Sequence, residues 1–325
     1  MRIFITGGSG FIGTHFLEKV LKAAPDAQIC NYDLTSPKLS EHKPFWIAGD
    51  ILDPDRLRSE MAKFGPTHIV HMAARTDTDG TQVEDYRINT DGSANLLKAI
   101  QATPGIERAL FISTQYVIGP GHVATDPRYH NPHTVYGRSK CIMEDMIWDA
   151  KLPCCWTIVR PTNIWGAWHP RYDKEFWSVL KRGRYLHPGG EPVYRAYGYV
   201  GNIVEQIWAL LTMPADRVNE QVVYVGDPVD DIKQWVNAFS VGLTGRKARV
   251  VPRPVLRGIA FIGDILRKLG IKFPLFSSRY HSMTESYLVN MDPTYKLLGR
   301  PVYSLEEGVQ QTISWLKTQG GIWSR

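Results

Sequence analysis

Thr6-Gly7-Gly8-Ser9-Gly10-Phe11-Ile12-Gly13 is the stretch that decides how this chain is read. Ahead of it runs Ile3-Phe4-Ile5, short and β-prone. Behind it Phe11, Ile12, Phe16, Leu17, Val20 and Leu21 recur at helical spacing. The glycines therefore sit on a strand-to-helix turn, the setting a dinucleotide fingerprint requires. They satisfy G-x-x-G-x-x-G through Gly7, Gly10 and Gly13, and G-x-G-x-x-G through Gly8, Gly10 and Gly13. One glycine permits the tight turn, one lets the backbone approach a pyrophosphate, and one lets the helix pack close to the sheet. The N–H groups and dipole of the helix start favour anionic phosphates.

A second feature supports the first. Gln28 to Tyr32 reads as the next strand, and Asp33 follows it, 20 residues after Gly13. A carboxylate there accepts hydrogen bonds from both hydroxyls of an adenosine ribose and repels a 2′-phosphate, which favours NAD over NADP.

The 325 residues allow one or two domains with a large core. Apolar residues make up 43% and charged residues 22%, as in globular proteins, so a disordered or fibrous class is excluded. The net charge of +6 is scattered, with no run of five or six bases, so no nucleic-acid arm is indicated. The four cysteines show no zinc spacing and read as reduced thiols of a cytoplasmic protein; Cys154 and Cys155 fall in a strand expected to be buried. The chain enters its first strand directly, so no signal peptide is expected, and no apolar run reaches the length of a membrane span. His68 and His71 lie three apart on a strand and face opposite sides, so no metal site is expected.

Strand and helix patterns alternate through the first half: strands near 45–48, 68–72, 109–113 and 154–159, and helices near 54–64, 89–101 and 134–150. Asp53 reads as an N-cap with Pro54 at the first helical position. Repeated β-α units with apolar strands imply an α/β fold: a doubly wound, Rossmann-type parallel sheet covered on both faces, binding ligand beyond the carboxyl ends of its strands. The second half is less regular and mostly helical. The reading is a nucleotide domain over 1–165, to which 199–225 returns, and a smaller, mostly helical substrate domain formed by 166–198 and 226–325.

Tyr136 and Lys140 lie at i and i+4, on one helix face. An ammonium at that spacing favours the phenolate, which can take a proton from a substrate hydroxyl as hydride leaves the carbon. Lys140 can also donate to the nicotinamide ribose. Ser113 and Thr114 end a strand of the sheet, where a hydroxyl can bridge substrate and Tyr136.

With these motifs in order, the chain resembles an extended short-chain dehydrogenase/reductase of the NAD-dependent epimerase/dehydratase family over nearly its whole length. Residues 7–13 are similar to the family's cofactor loop, with Gly7, Gly10, Phe11 and Ile12 as its contacts, and Asp33 to its ribose acid. Asp50 and Ile51 match the pair at the adenine; His71-Met72-Ala73-Ala74 resembles the H-x-A-A segment beside the cofactor; Asn89, Gly92 and Asn95 match N-x-x-G-x-x-N. Residues 112–119 are similar to the family's S-[ST]-x-x-V-Y-G strand end. This places Ser113 at the cofactor, Thr114 in the catalytic position beside Tyr136 and Lys140, and Gln115 at the substrate. Arg160-Pro161-Thr162-Asn163-Ile164-Trp165-Gly166 resembles R-P-x-N-x-Y-G, which implies Pro161 at the cofactor and Asn163 at the substrate. Arg195 heads a segment similar to R-D-Y-x-x-V-x-D, whose arginine meets a nucleotide diphosphate.

Departures narrow the chemistry. Dehydratases of the family carry Asp-Glu after the catalytic Thr, and decarboxylases also carry a Glu there; here the pair is Gln115-Tyr116, with no carboxylate. The resemblance then implies NAD-dependent 4-epimerisation of a nucleotide-linked sugar through a transient 4-keto intermediate. The alternative is an NAD(P)-dependent reductase or dehydrogenase on a nucleotide sugar, a steroid-like compound or another alcohol or ketone. A non-catalytic NAD-binding protein is the third reading, which the intact Thr114, Tyr136 and Lys140 oppose. The resemblance also implies a homodimer. Val255 to Phe276, apolar and basic, reads as domain core or as a segment that meets lipid.

Overall fold

β1 (Arg2–Thr6) enters the core at once: Ile3, Phe4 and Ile5 are fully buried. In a computed structural model that describes residues 1–124, 126–271 and 273–323, it is an interior strand of a seven-stranded sheet, third from one edge. The other strands are β2 (Gln28–Asp33), β3 (Trp46–Ala48), β4 (His68–His71), β5 (Arg108–Ile112), β6 (Cys155–Pro161) and β7 (Gln221–Val225). All pair in parallel, in the order β3-β2-β1-β4-β5-β6-β7. The order reverses between β1 and β4, where Thr6 stands opposite Tyr32 on one side and His71 on the other. A crevice at such a reversal is where open α/β sheets bind ligand. This is the expected Rossmann-type sheet.

The strands alternate with α1 (Phe11–Ala23), α2 (Pro54–Phe64), α3 (Ser93–Ala102), α4 (Val135–Asp149) and α5 (Val200–Thr212). α2 starts as its sequence predicts: the Asp53 carboxylate accepts from Arg56 N and Pro54 stands at the first position. Ahead of α3, Ile88–Gly92 forms a π turn, with Gly92 N donating to Arg87 O, five residues back. The sequence pattern showed only one continuous helix there. Strand interiors and the inward faces of α2, α3 and α4 form one cluster that includes Phe4, Leu57, Ile69, Leu96, Phe111 and Ile158. Full burial of such a side chain stabilises by roughly 1.5–3 kcal/mol.

The chain divides into two units. One comprises 1–164, 200–226 and 290–302; the other comprises 165–199, 227–289 and 303–325, described to residue 323. The stretch 290–302, expected in the second unit, belongs to the first, because Thr294 Oγ1 in the helix Asp292–Leu298 donates to Tyr224 O of β7 at 2.6 Å. Cys154 and Cys155, expected to be buried, are only half-buried because they sit at the start of β6.

The second unit is mostly helical, built from α6 (Ile232–Thr244), α7 (Arg253–Lys268), α8 (Ser277–Thr284) and α9 (Leu305–Thr318). The Asp231 carboxylate caps α6 through Lys233 N, and Ser304 with Glu307 forms a capping box on α9. Its core is aromatic. Trp235 stacks on Phe176 at 4.5 Å and on Tyr197 at 4.6 Å, and Trp165 is fully buried against Tyr199 and Phe239.

Candidate active site

The glycine loop closes against the switch point of the sheet. Gly7 has φ +76°, a left-handed conformation, and a Cβ there would lie 2.4 Å from Ala73 N. Only glycine meets both conditions. A Cβ on Gly13 would lie 2.5 Å from Gly8 Cα, so α1 starts directly on the loop. Gly10 is the N-cap of α1 and supplies no side-chain cap, which leaves the first turn to receive an anion through its N–H groups.

Asp33, at the end of β2, is tied to this loop. Its Oδ2 accepts from Ser9 N at 2.9 Å and its Oδ1 from Thr35 N at 2.8 Å. A carboxylate has about four acceptor sites, so each oxygen keeps capacity for a ribose hydroxyl. Asp50 and Ile51 are fixed from behind: Asp50 O accepts from Tyr32 Oη, and Ile51 O from Asn95 Nδ2. Met72 N donates to Thr6 O and Ala73 N to Thr6 Oγ1, which holds the 72–74 segment at the glycine loop. The Asn89 amide is engaged on three sides: Nδ2 donates to Arg75 O and Ser139 Oγ, and Oδ1 accepts from Arg75 N. The π turn brings this side chain inside and so clips the 75 loop to α4.

The candidate reactive group comes from α4 and from the residues that follow β5. Thr114 follows β5 and caps the short turn Gln115–Val117, its Oγ1 accepting from Tyr116 N at 3.2 Å. That leaves the hydroxyl proton to donate. Thr134 caps α4 through Gly137 N at 2.9 Å, so Tyr136 lies in the first turn, where the helix dipole favours an anion. A Cβ on Gly137 would stand 2.3 Å from Tyr116 O; glycine there allows α4 and the 115–117 turn to touch. The Tyr136 ring lies between Tyr86 and Tyr116, with both centroids at 6.1 Å. Lys140, buried one helical turn on, donates from Nζ to Ile112 O at 2.8 Å. Burial pulls its ammonium from 10.5 down to about 8, against the opposing charge of Glu144. His71, buried between Thr6 Oγ1 and Ser93 Oγ, is pushed down to about 3 by burial and by Lys140, so it is a neutral spacer. Among the described residues no group of His, Cys, Asp and Glu could hold a metal.

Sequence spacing did not reveal a buried ionic cluster under this site. The Glu144 carboxylate accepts from Arg160 Nε at 3.0 Å and Arg160 Nη2 at 2.6 Å, from the Ser113 hydroxyl, and lies 2.9 Å from His130 Nε2. Burial works against its ionisation, but the hydrogen bonds from His130 and Arg160 hold it below the usual carboxylate range. Ser113, expected at the cofactor, thus also anchors the strand end to α4. Pro161 ends β6, and past it the Asn163 carboxamide accepts from Tyr116 Oη at 3.4 Å. Tyr116 also stacks on His133 at 5.3 Å, so it joins Asn163, His133 and Tyr136, a role no motif announced. Gln115 is buried beside them. Arg195 belongs to the second unit, where its Nε donates to Glu285 O at 3.2 Å.

The loop that only glycine can form, the uncapped helix start and the oriented Asp33 carboxylate fit the pyrophosphate and ribose of NAD. Residues 3–226 match the model of the NAD dependent epimerase/dehydratase family. The chain is 28% identical to the N-acetyl-α-D-glucosaminyl-diphospho-ditrans,octacis-undecaprenol 4-epimerase of Escherichia coli O157:H7, over 96% of this chain and 94% of that one. It is 24% identical to the decarboxylating sterol-4-α-carboxylate 3-dehydrogenase of Saccharomyces cerevisiae, over 97% of each. Among solved structures, the UDP-glucose 4-epimerase of Thermotoga maritima with UDP-glucose has the same fold, at a TM-score of 0.74 and 20% identity over 98% of this chain and 99% of that one.

Proposed function

This chain belongs to the NAD-dependent epimerase/dehydratase family, and from that membership we propose that it is a 4-epimerase of a nucleotide-linked sugar. One observation carries the choice within the family. The 115–116 pair has no carboxylate, and Glu144, the carboxylate bonded to Ser113 at this strand end, is buried and neutralised by Arg160. Proton transfer then falls to Tyr136, with Thr114 as the hydroxyl that shares its substrate oxygen, and not to a carboxylate of the 115–116 pair. Epimerisation needs no more; dehydration needs a second acid–base pair.

The glycine loop and Asp33 would hold NAD, which would supply the acceptor and donor of hydride. The phenolate of Tyr136, favoured by the α4 dipole and the Lys140 charge, takes the proton of the C4 hydroxyl as the C4–H bond breaks. Thr114 donates to the same oxygen. The 4-keto sugar turns over, and Tyr136 returns its proton as hydride reaches the opposite face. Asn163 orients the sugar, and Arg195 takes the diphosphate by charge-assisted hydrogen bonds. Two copies pairing through α3 and α4 in the cytoplasm complete the reading, supported by the family habit and by four free cysteines.

A second reading, a dehydrogenase or reductase of an apolar alcohol or ketone, is favoured by the yeast relative and by the apolar surface of α7. Denaturing the purified protein and identifying the released nucleotide separates the two. Near-stoichiometric NAD, with C4 inversion of UDP-glucose or UDP-N-acetylglucosamine seen by NMR, is the expected result. An empty protein that consumes added NAD with net oxidation of substrate overturns the epimerase reading.

A further inference from the structure

α7 is apolar on its exposed side as well as on its buried one. Leu256, Ala260 and Gly263 mark its buried arc. At 100° per residue the opposite arc, which should be polar on a surface helix, carries Val255, Phe261, Ile262, Ile265 and Leu269. Phe261 is 64% exposed, Ile262 53% and Leu269 70%. Arg257 and Lys268 stand along one border of this arc, both exposed. Isolated exposed apolar residues are ordinary, but a continuous stripe of them along a helix marks an interaction surface.

The charge around the stripe says what covers it. From Gly245 to Met283 there are nine Lys and Arg and a single acid, Asp264, so the net +6 of the chain resides in this segment and the remainder is net negative. Asp264 is engaged within the unit, its carboxylate accepting from Ser277 N and the Ser277 hydroxyl. A groove of about 540 Å³ beside the helix is lined by Arg253, Arg257, Gly258, Phe261 and Tyr280, which places cationic and aromatic side chains together. Arg253 is engaged with Gly189 O and Glu191 O, whereas Arg257 has no hydrogen-bond or ion-pair partner among the described residues. A second copy is a poor match: two-fold pairing through this face would set its cations against their own copies. A lipid surface bearing phosphates offers both the apolar phase and the counter-charge.

We infer that α7 docks in the plane of an anionic lipid bilayer, with Phe261, Ile262, Ile265 and Leu269 in the acyl boundary and Arg257 and Lys268 among the lipid phosphates. No described helix is long and apolar enough to cross a membrane, so the contact is peripheral. The inference is independent of which reaction the first unit performs.

The full-length protein is sedimented with sucrose-loaded vesicles of phosphatidylcholine alone, and of phosphatidylcholine with phosphatidylglycerol. It pellets with the anionic vesicles, stays in solution with the neutral ones, and is released as salt shortens the reach of charge to about 3 Å at 1 M. Phe261→Asp with Ile265→Asp lowers the partition coefficient at least about tenfold, and Arg257→Gln with Lys268→Gln lowers it severalfold. All variants keep the wild-type melting temperature, since each site is exposed. Equal pelleting of the apolar-to-Asp variant, or no preference for anionic vesicles, overturns the inference. So does a wild-type protein that ignores vesicles and forms a dimer that Phe261→Asp splits; that result assigns the stripe to a second copy.

Discussion

α4 and α7 break the usual partition of side chains in opposite directions. α4 takes charged and polar groups inside: Lys140, Glu144 and Ser139 on its inner face are buried, each with a partner from the sheet, the loops or the helix itself. α7 takes apolar surface outside, where among the described residues nothing covers it. Buried charge is costly unless paired, and exposed apolar stripes are costly unless met. A chain that maintains both departures maintains them for function. In the proposed reading α4 holds the reaction, because a proton-transfer group needs its field in a dry setting. In the inferred docking α7 holds an address.

The contrast can be broken at several points. Tyr136→Phe removes the proton acceptor without touching the fold. Turnover falls by about 10²–10⁴-fold, while calorimetry and the amount of NAD released on denaturation match wild type. Retained turnover would move the chemistry off α4. Arg160→Met leaves Glu144 buried without its ion-pair partner and costs about 3–5 kcal/mol of stability in urea unfolding; a change near zero would mean that α4 does not depend on its paired charges. Gly7→Ala meets Ala73 N in a left-handed conformation, and lost NAD retention with about 1 kcal/mol or more of destabilisation is expected in thermal melts.

The pH dependence sharpens the comparison further. Lys140 titrates near 8 in the folded protein and near 10.5 when unfolded. As pH rises through about 8 the field that favours the Tyr136 phenolate is lost, so kcat declines on that limb. Between the two values the unfolded chain binds more protons, so this group makes stability rise with pH while activity falls. Parallel kcat and urea profiles over that window check the opposed signs. The smallest effect belongs to α7: Phe261→Asp alone shifts stability by no more than about 0.5 kcal/mol by calorimetry, as an exposed substitution should.

Much of the first unit was legible because its signals are local. Glycines between a strand and a helix, Asp33 after the second strand, Asp53-Pro54 and Thr134 each specify structure within a few residues of themselves. The cluster of Ser113, His130, Glu144 and Arg160 was not legible, since its members are brought together only by strand pairing and by the packing of α4. The role of Tyr116 escaped for the same reason, as did the return of 290–302 to β7. For α7, the sequence showed an apolar and basic segment but not which arc the fold would cover; only burial decides that.

The two hydrogen bonds on Asp33 also bear on ancestry. The carboxylate that repels a 2′-phosphate is the same group that receives Ser9 N and Thr35 N, one on each oxygen. Asn keeps one acceptor and turns an NH2 toward the other N–H; Ala keeps neither. A lineage descending from this protein cannot change its nucleotide by one substitution without also loosening the loop that holds the pyrophosphate. Cofactor preference here is inherited as architecture, and a path to the phosphorylated nucleotide runs through a rebuilt turn before any new basic residue can be useful.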